Sequence, residues 1–337
     1  MTYTTKPHPD QTQNITGVPL PVGGVYTVNQ AFISLINQIL VLFLMMAAGY
    51  AAKKTKVLDQ ETIRGISMLI LNVSLPALIV SSMQFPFSRE MMNTSLQIAL
   101  ISVLTYIGLI AFSYAYIKVI KMDTAKLDVT QFSLVFANVS FMGFPIISVL
   151  YGEQGVFYAA LFNIPFQVLL VTLGVVFMTR HSDTGSGKMN LRKALVSPGM
   201  VAIVVGFGFF VLPLTIPAPL LQSMQMMGST TTPLSMLLIG GMLADVTFSS
   251  VFGDKDLYVL TFVRLFLLPA LVFAPLKLLG VEGMLLVIPV IIIGMPVATL
   301  TGAFARLYNA DYYFASKTIF LTTLCSLITI PLWALLL

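Results

Sequence analysis

Charge is scarce in this 337-residue chain. Asp, Glu, Lys and Arg together make up 9% of it, against about 25% in ordinary soluble domains. Histidine occurs twice and cysteine once. A single cysteine, Cys325, closes no intrachain disulfide, which excludes a disulfide scaffold and a cysteine-based metal site. His8 falls in a polar tail and His181 in a connecting loop, each without the neighbouring ligands of a metal site. HExxH and GxSxG are both missing, and no histidine or acidic pair falls in the middle of an apolar run, so an intramembrane enzyme has nothing to work with. Residues 1–29 lack a basic start followed by a short apolar core. They read as an extracytoplasmic polar tail rather than a signal peptide, and as too little for the soluble domain of a receptor.

What fills the chain is hydrocarbon. Apolar residues make up 57% and the mean hydropathy is +0.93, so the composition predicts an integral membrane protein whose length is counted in spans of about 20 residues. Apolar runs predict helices at 30–52, 62–84, 95–117, 128–150, 155–179, 195–213, 218–243, 257–279, 283–305 and 313–336. With the N-terminus outside, fifteen of the 18 Lys and Arg residues fall on inward connections; only Lys6, Arg89 and Lys277 stay outside. The positive-inside rule then places both termini outside the cytoplasm of a multi-pass cell membrane protein. It also accounts for the +5 net charge without a nucleic-acid partner.

The longest polar connection divides the chain into a first unit at 30–180, a linker at 181–194 and a second unit at 195–337, five spans each. Five is odd, so related halves must be inverted. Two landmarks recur in order: Pro76 and Pro233 lie 157 positions apart, and the Gly-Phe-Pro ending at Pro145 lies 151 positions before the Gly-Met-Pro ending at Pro296. Proline removes a backbone donor and clashes with the preceding turn, while glycine tolerates unwound backbone. Broken helices survive in lipid only where protein or water covers them, so two breaks at matching places predict a midplane binding site. Half-helix N-termini there favour an anion. Pro165, Pro269, Pro275 and Pro331, taken singly, predict kinks.

The segments LNVSLPALIVSSM (71–83), ANVSFMGFPIISVLYGE (137–153), SPGMVAIVVGFGF (197–209), PLSMLLIGGML (233–243) and the closing GMPVATLTGAFARLYNADYYFASKTIFLTTLCSLITIPLW (294–333) resemble the auxin efflux carrier family, which includes plant carriers and bacterial permeases for small carboxylates. The resemblance implies an all-α fold of ten transmembrane helices in two inverted five-helix repeats, with helices 4 and 9 broken and crossed, as in sodium/proton antiporters and bile-acid transporters. It implies an elevator-type carrier of organic anions and a homodimer. It places Asn138, seven positions before Pro145, against the substrate carboxylate, and Pro145 and Pro296 at the crossover. Ser74 and Pro76 match the segment of the second span that faces it. The charged pair of a support site in plant members has no counterpart, which favours a small carboxylate or dicarboxylate over auxin.

The substrate-binding candidates are therefore Asn138, Ser140, Gly143, Pro145, Ser74, Gly294, Pro296 and Thr299. No cofactor is expected beyond a coupling ion, H⁺ or Na⁺. Side-chain amides and hydroxyls at midplane depth, Asn72, Asn163, Gln167 and Thr231, are candidates for holding it, and equally for bonding helices together. Arg264, about two turns into its span, is expected to snorkel inward. The partners expected are thus a small organic anion, the bilayer and a second copy of the chain.

Overall fold

The computed structural model describes residues 28–180, 196–212, 214–245, 251 and 253–337. Residues 1–27 of the tail, with His8, and the linker at 181–194, with His181, lie outside the described residues, and the last two tail positions already belong to the first helix. Among those described, all regular structure is helical: α1 (Val28–Lys54), α2 (Gln60–Ser82), α3 (Arg89–Val119), α4 (Thr124–Val135), α5 (Val139–Phe162) and α6 (Ile164–Thr179), then α7 (Pro198–Val211), α8 (Ala218–Ser229), α9 (Thr231–Leu243), α10 (Lys255–Leu278), α11 (Met284–Ile293), α12 (Leu300–Leu307) and α13 (Tyr312–Leu336). Five of these, α1, α2, α3, α10 and α13, are long and apolar enough to cross a bilayer, and α5 and α6, bent by 40° at their junction, pass the same test taken together. That bend falls at Asn163-Ile164-Pro165, the kink expected of Pro165.

The outer surface is apolar. Along α3, Leu96, Leu100, Leu104 and Ile107 stand about 60% exposed. They recur at helical spacing, the stripe a helix turns toward lipid.

Three prolines are absorbed without breaking their helices. Wide π-type turns at Ile70–Ser74, Val139–Gly143 and Val263–Leu267 each end one residue before an x-Pro pair, at Pro76, Pro145 and Pro269. A proline ring collides with the carbonyl four residues back and cannot donate to it, and a widened turn makes room. Pro145 therefore sits in the first turn of an α-helical segment, Phe144–Phe162. The chain is interrupted earlier, at Phe136-Ala137-Asn138, which corrects the expectation that the break lies at Pro145. Gly152, at φ 60°, then turns the chain inside α5.

Elsewhere the bundle is closed by small residues and by its ends. Along α1 and α9, a Cβ added at Gly240 would fall on the Met46 carbonyl oxygen, and one added at Gly49 on that of Leu237. At one end of this seam Lys53 pairs with Asp245 at 3.3 Å and Lys54 donates to the Ala244 carbonyl at 3.0 Å. Lys126 at the start of α4 reaches Asp254 at 2.9 Å and Asp256 at 3.4 Å, and lies 5.2 Å from the ring centre of Phe314. The ion pairs join ends that the charge pattern assigned to one side of the bilayer.

Candidate functional site: a helix crossover and the cavity beside it

Two interrupted helices meet in the core. Phe136, Ala137 and Asn138 separate α4 from α5, and the stretch from Gly294 to Thr299 separates α11 from α12. The two gaps pair as a short antiparallel bridge between Ala137 and Val297. The Asn138 amide donates to the Pro296 carbonyl at 2.8 Å, and the Ala298 amide to the Phe136 carbonyl at 3.1 Å. Pro296 occupies a place in this bridge that only accepts, so its missing N–H costs nothing. The Val297 amide finds the Thr322 hydroxyl of α13 at 3.3 Å. Each break thus satisfies the other's backbone, as a dry interior requires.

Breaking a helix also exposes carbonyls at its C-terminal end, where the peptide dipoles leave negative charge. Arg264 takes up both ends. Its Nε donates to the Met295 carbonyl at 3.2 Å and its Nη1 to the Leu134 carbonyl at 3.1 Å, with the side chain fully buried. Leu134 is the acceptor that Asn138 would have used had α4 continued. The expectation that Arg264 snorkels to the membrane surface is therefore overturned: two unsatisfied helix ends hold the guanidinium in the interior better than water would at the surface. A neighbouring contact follows the same logic. The Trp333 Nε1 donates at 2.9 Å to the Leu265 carbonyl, the one that Pro269 leaves without its helical donor.

The N-terminal ends of the same breaks face elsewhere. A cavity of about 620 Å³ opens between α2, α5, α6, α9, α12 and the start of α7. Its crossover end is lined by Ser140, in the first turn of α5, and Leu300, the first residue of α12. The first turn of α7 contributes Ser197, Pro198 and Gly199, with the Ser197 hydroxyl accepting from the Met200 amide. Residues at the N-terminal ends of three helices therefore line one space, where helix dipoles favour negative charge. Among the described residues, the charged ones lining it are Arg64 and Arg306, and no acidic residue lines it. Asp59, five residues before Arg64, is occupied as the cap of α2, and its bonds from Thr62 hold its carboxyl below the usual carboxylate range.

The sequence-predicted residues divide between these two places. Ser140, Asn72 and Gln167 line the cavity, although the Asn72 amide donates to the Met68 carbonyl at 2.7 Å. Asn138, Gly294 and Pro296 are buried in the crossover, and Thr299 caps α12, half-buried. Gly143 ends the wide turn, where an added Cβ would lie 3.4 Å from the Val139 side chain. Ser74, Asn163 and Thr231 are buried away from the cavity wall, in a wide turn, at the bend before α6 and at the start of α9. Among the described residues, the Asn138 Nδ2, Ser74 Oγ, Asn163 Oδ1 and Thr231 Oγ1 atoms have no hydrogen-bond partner. Sequence reasoning missed the parts played by Arg264, Arg64 and Arg306. For Arg264 the signal was available, since an ionisable residue inside a span marks a functional or pairing role. Arg64 and Arg306 were counted as loop charges.

A helical membrane protein with two mutually paired helix breaks beside a largely apolar cavity that carries two arginines has the parts of a membrane transporter. The chain belongs to the membrane transport protein family, whose model matches residues 34–334 and which is the auxin efflux carrier family of the resemblance above. It is similar to an uncharacterized transporter of Methanothermobacter thermautotrophicus, 24% identical over 308 residues that cover 90% of this chain and 98% of the relative. A second uncharacterized transporter, from Methanocaldococcus jannaschii, is 24% identical over 302 residues, covering 88% and 96%. The uncharacterized transporter YfdV of Escherichia coli K12 is 23% identical over 173 residues, about half of each chain.

Proposed function

We propose that this protein is a secondary carrier that moves a small organic anion, a carboxylate or dicarboxylate, across the cell membrane by alternating access. One observation carries the reading: the crossover sorts its helix ends by sign. The C-terminal ends are closed off by Arg264 in the core, and the N-terminal ends open on the cavity. A site with that polarity stabilises negative charge without a counter-ion of its own. The passenger sits at the inner end of the cavity against Ser140 and Gln167, with Asn138 behind them, its amide nitrogen unpartnered among the described residues.

The reading extends to ten spans in two inverted five-helix units and an elevator-type cycle, for which the pairing of the two breaks is the support. Ala137 and Val297 are 160 positions apart, close to the 157 that separate Pro76 from Pro233. The bridge therefore offers a better landmark for the repeat than the Gly-x-Pro pair. The unpartnered oxygens of Asn163 and Thr231 suit a coupling cation, since buried polar atoms otherwise find partners. The test is flux: purified protein in proteoliposomes should take up radiolabelled succinate, malate, butyrate or benzoate saturably, with competition by the unlabelled acid. Binding without flux would make it a receptor, and neither binding nor flux across the panel would overturn the reading.

A further inference from the structure

The cavity has a second positive pole that the crossover does not supply. Arg306 lies at the far end of α12, six residues beyond Leu300, which is about 9 Å along a helix. Arg64 lies on α2, eight residues before Asn72, about 12 Å along it. One arginine comes from each half of the chain, and both line the same cavity. The Arg306 guanidinium is held over the Tyr312 ring, 4.1 Å from its centre. This contact fixes its position and leaves the edge of the group free to donate. Among the described residues Arg64 has no ion-pair partner: Glu61, three residues before it on α2, stands beyond ion-pair distance, and Asp59 accepts from the Thr62 amide. Two exposed guanidinium groups that line one cavity, neither with an ion-pair partner among the described residues, favour an anion there.

We propose that Arg64 and Arg306 form an anion-binding subsite at the mouth of the cavity and select passengers carrying two negative groups. This inference rests on the carrier reading above. The helix N-termini at the crossover end take one carboxylate, and the arginine pair takes the other through charge-assisted N–H···O bonds. A monoanion fills one pole and leaves the second uncompensated. The same guanidinium chemistry would suit the phosphate of a lipid headgroup, so the test must separate the two sources.

Succinate and butyrate differ by one carboxylate at the same carbon count, and their binding to the purified full-length protein, followed by calorimetry in a neutral detergent, reads the second pole directly. The wild type should bind succinate about tenfold more tightly than butyrate, the scale of one charge-assisted contact in a partly wet site. Arg64→Gln and Arg306→Gln should each lower succinate affinity while changing butyrate affinity little, and the double variant should bind the two acids alike. Arg306→Lys should keep part of the preference. Tyr312→Leu, which removes the ring and keeps the charge, should lower it less than Arg306→Gln, and both report on whether a loss comes from packing. Uptake is then measured in vesicles of phosphatidylcholine with and without phosphatidylglycerol. An unchanged succinate-to-butyrate ratio in the double variant overturns the subsite and leaves the carrier reading standing. So does an arginine effect that appears only when phosphatidylglycerol is present, since the pair then serves lipid. A wild type that neither binds nor moves any acid of the panel overturns both.

Discussion

The crossover and the seam between α1 and α9 bring helices together by opposite means. At the crossover, two segments that have stopped being helical exchange backbone hydrogen bonds, and a fully buried arginine neutralises the ends left over. At the seam, two unbroken helices approach until only glycine fits, with Gly49 and Gly240 against opposing carbonyls. The seam relies on dispersion and close backbone contact, which suit a surface that stays closed. The crossover relies on a few strong polar contacts, whose loss leaves unpaired groups in a dry place. The difference teaches where each kind of fragility lies: volume at the seam, charge and hydrogen bonding at the crossover.

Substitutions can break that comparison one side at a time. The largest effect is expected from Arg264→Leu, which strips the partner from the carbonyls of Leu134 and Met295, about 1–3 kcal/mol for each buried acceptor left unpaired. Size-exclusion profiles and thermal unfolding in detergent should show an aggregated or strongly destabilised protein; a wild-type melting temperature would refute the role given to Arg264. Next comes Gly240→Ala. Its methyl group meets backbone, so the seam must open, at about 1–3 kcal/mol. Gly241→Ala provides the contrast, because its Cβ would lie 3.3 Å from the tip of the Ile63 side chain, which can move. Equal melting temperatures for these two variants would remove the seam from the account.

Trp333→Phe keeps an aromatic ring and deletes the donor to Leu265, so it should cost about 1 kcal/mol and appear as a small downward shift in thermal unfolding. Asn138→Ala should affect stability least, because its amide nitrogen is already without a partner among the described residues. Expression and melting should match the wild type while affinity for the transported acid falls. If uptake by this variant is unchanged, Asn138 is structural and the passenger sits farther out, toward Ser140 and Gln167.

Much of this was legible in the chain. Scarce charge, long apolar runs and the clustering of Lys and Arg between them predict a membrane protein, because each follows from the solubility of single residues. The kink at Pro165 was readable for the same local reason. The break before α5 was displaced from its expected place because a proline in a membrane helix has two local answers, a break or a widened turn. At Pro145, as at Pro76 and Pro269, the chain takes the second. Which answer prevails depends on what lies across the interface.

The sequence by itself determined the solvent this protein lives in, its membership of a transporter family and the two neighbourhoods where its helices would fail, since these are properties of short stretches read one after another. The tertiary structure alone decided where the freed backbone groups go. Arg264 is 130 residues from Leu134 and 31 from Met295, and Arg64 and Arg306 share a cavity only because α2 and α12 fold beside the same crossover. A buried charge takes its meaning from the partners that surround it, and those partners are brought together by the packing of the whole chain.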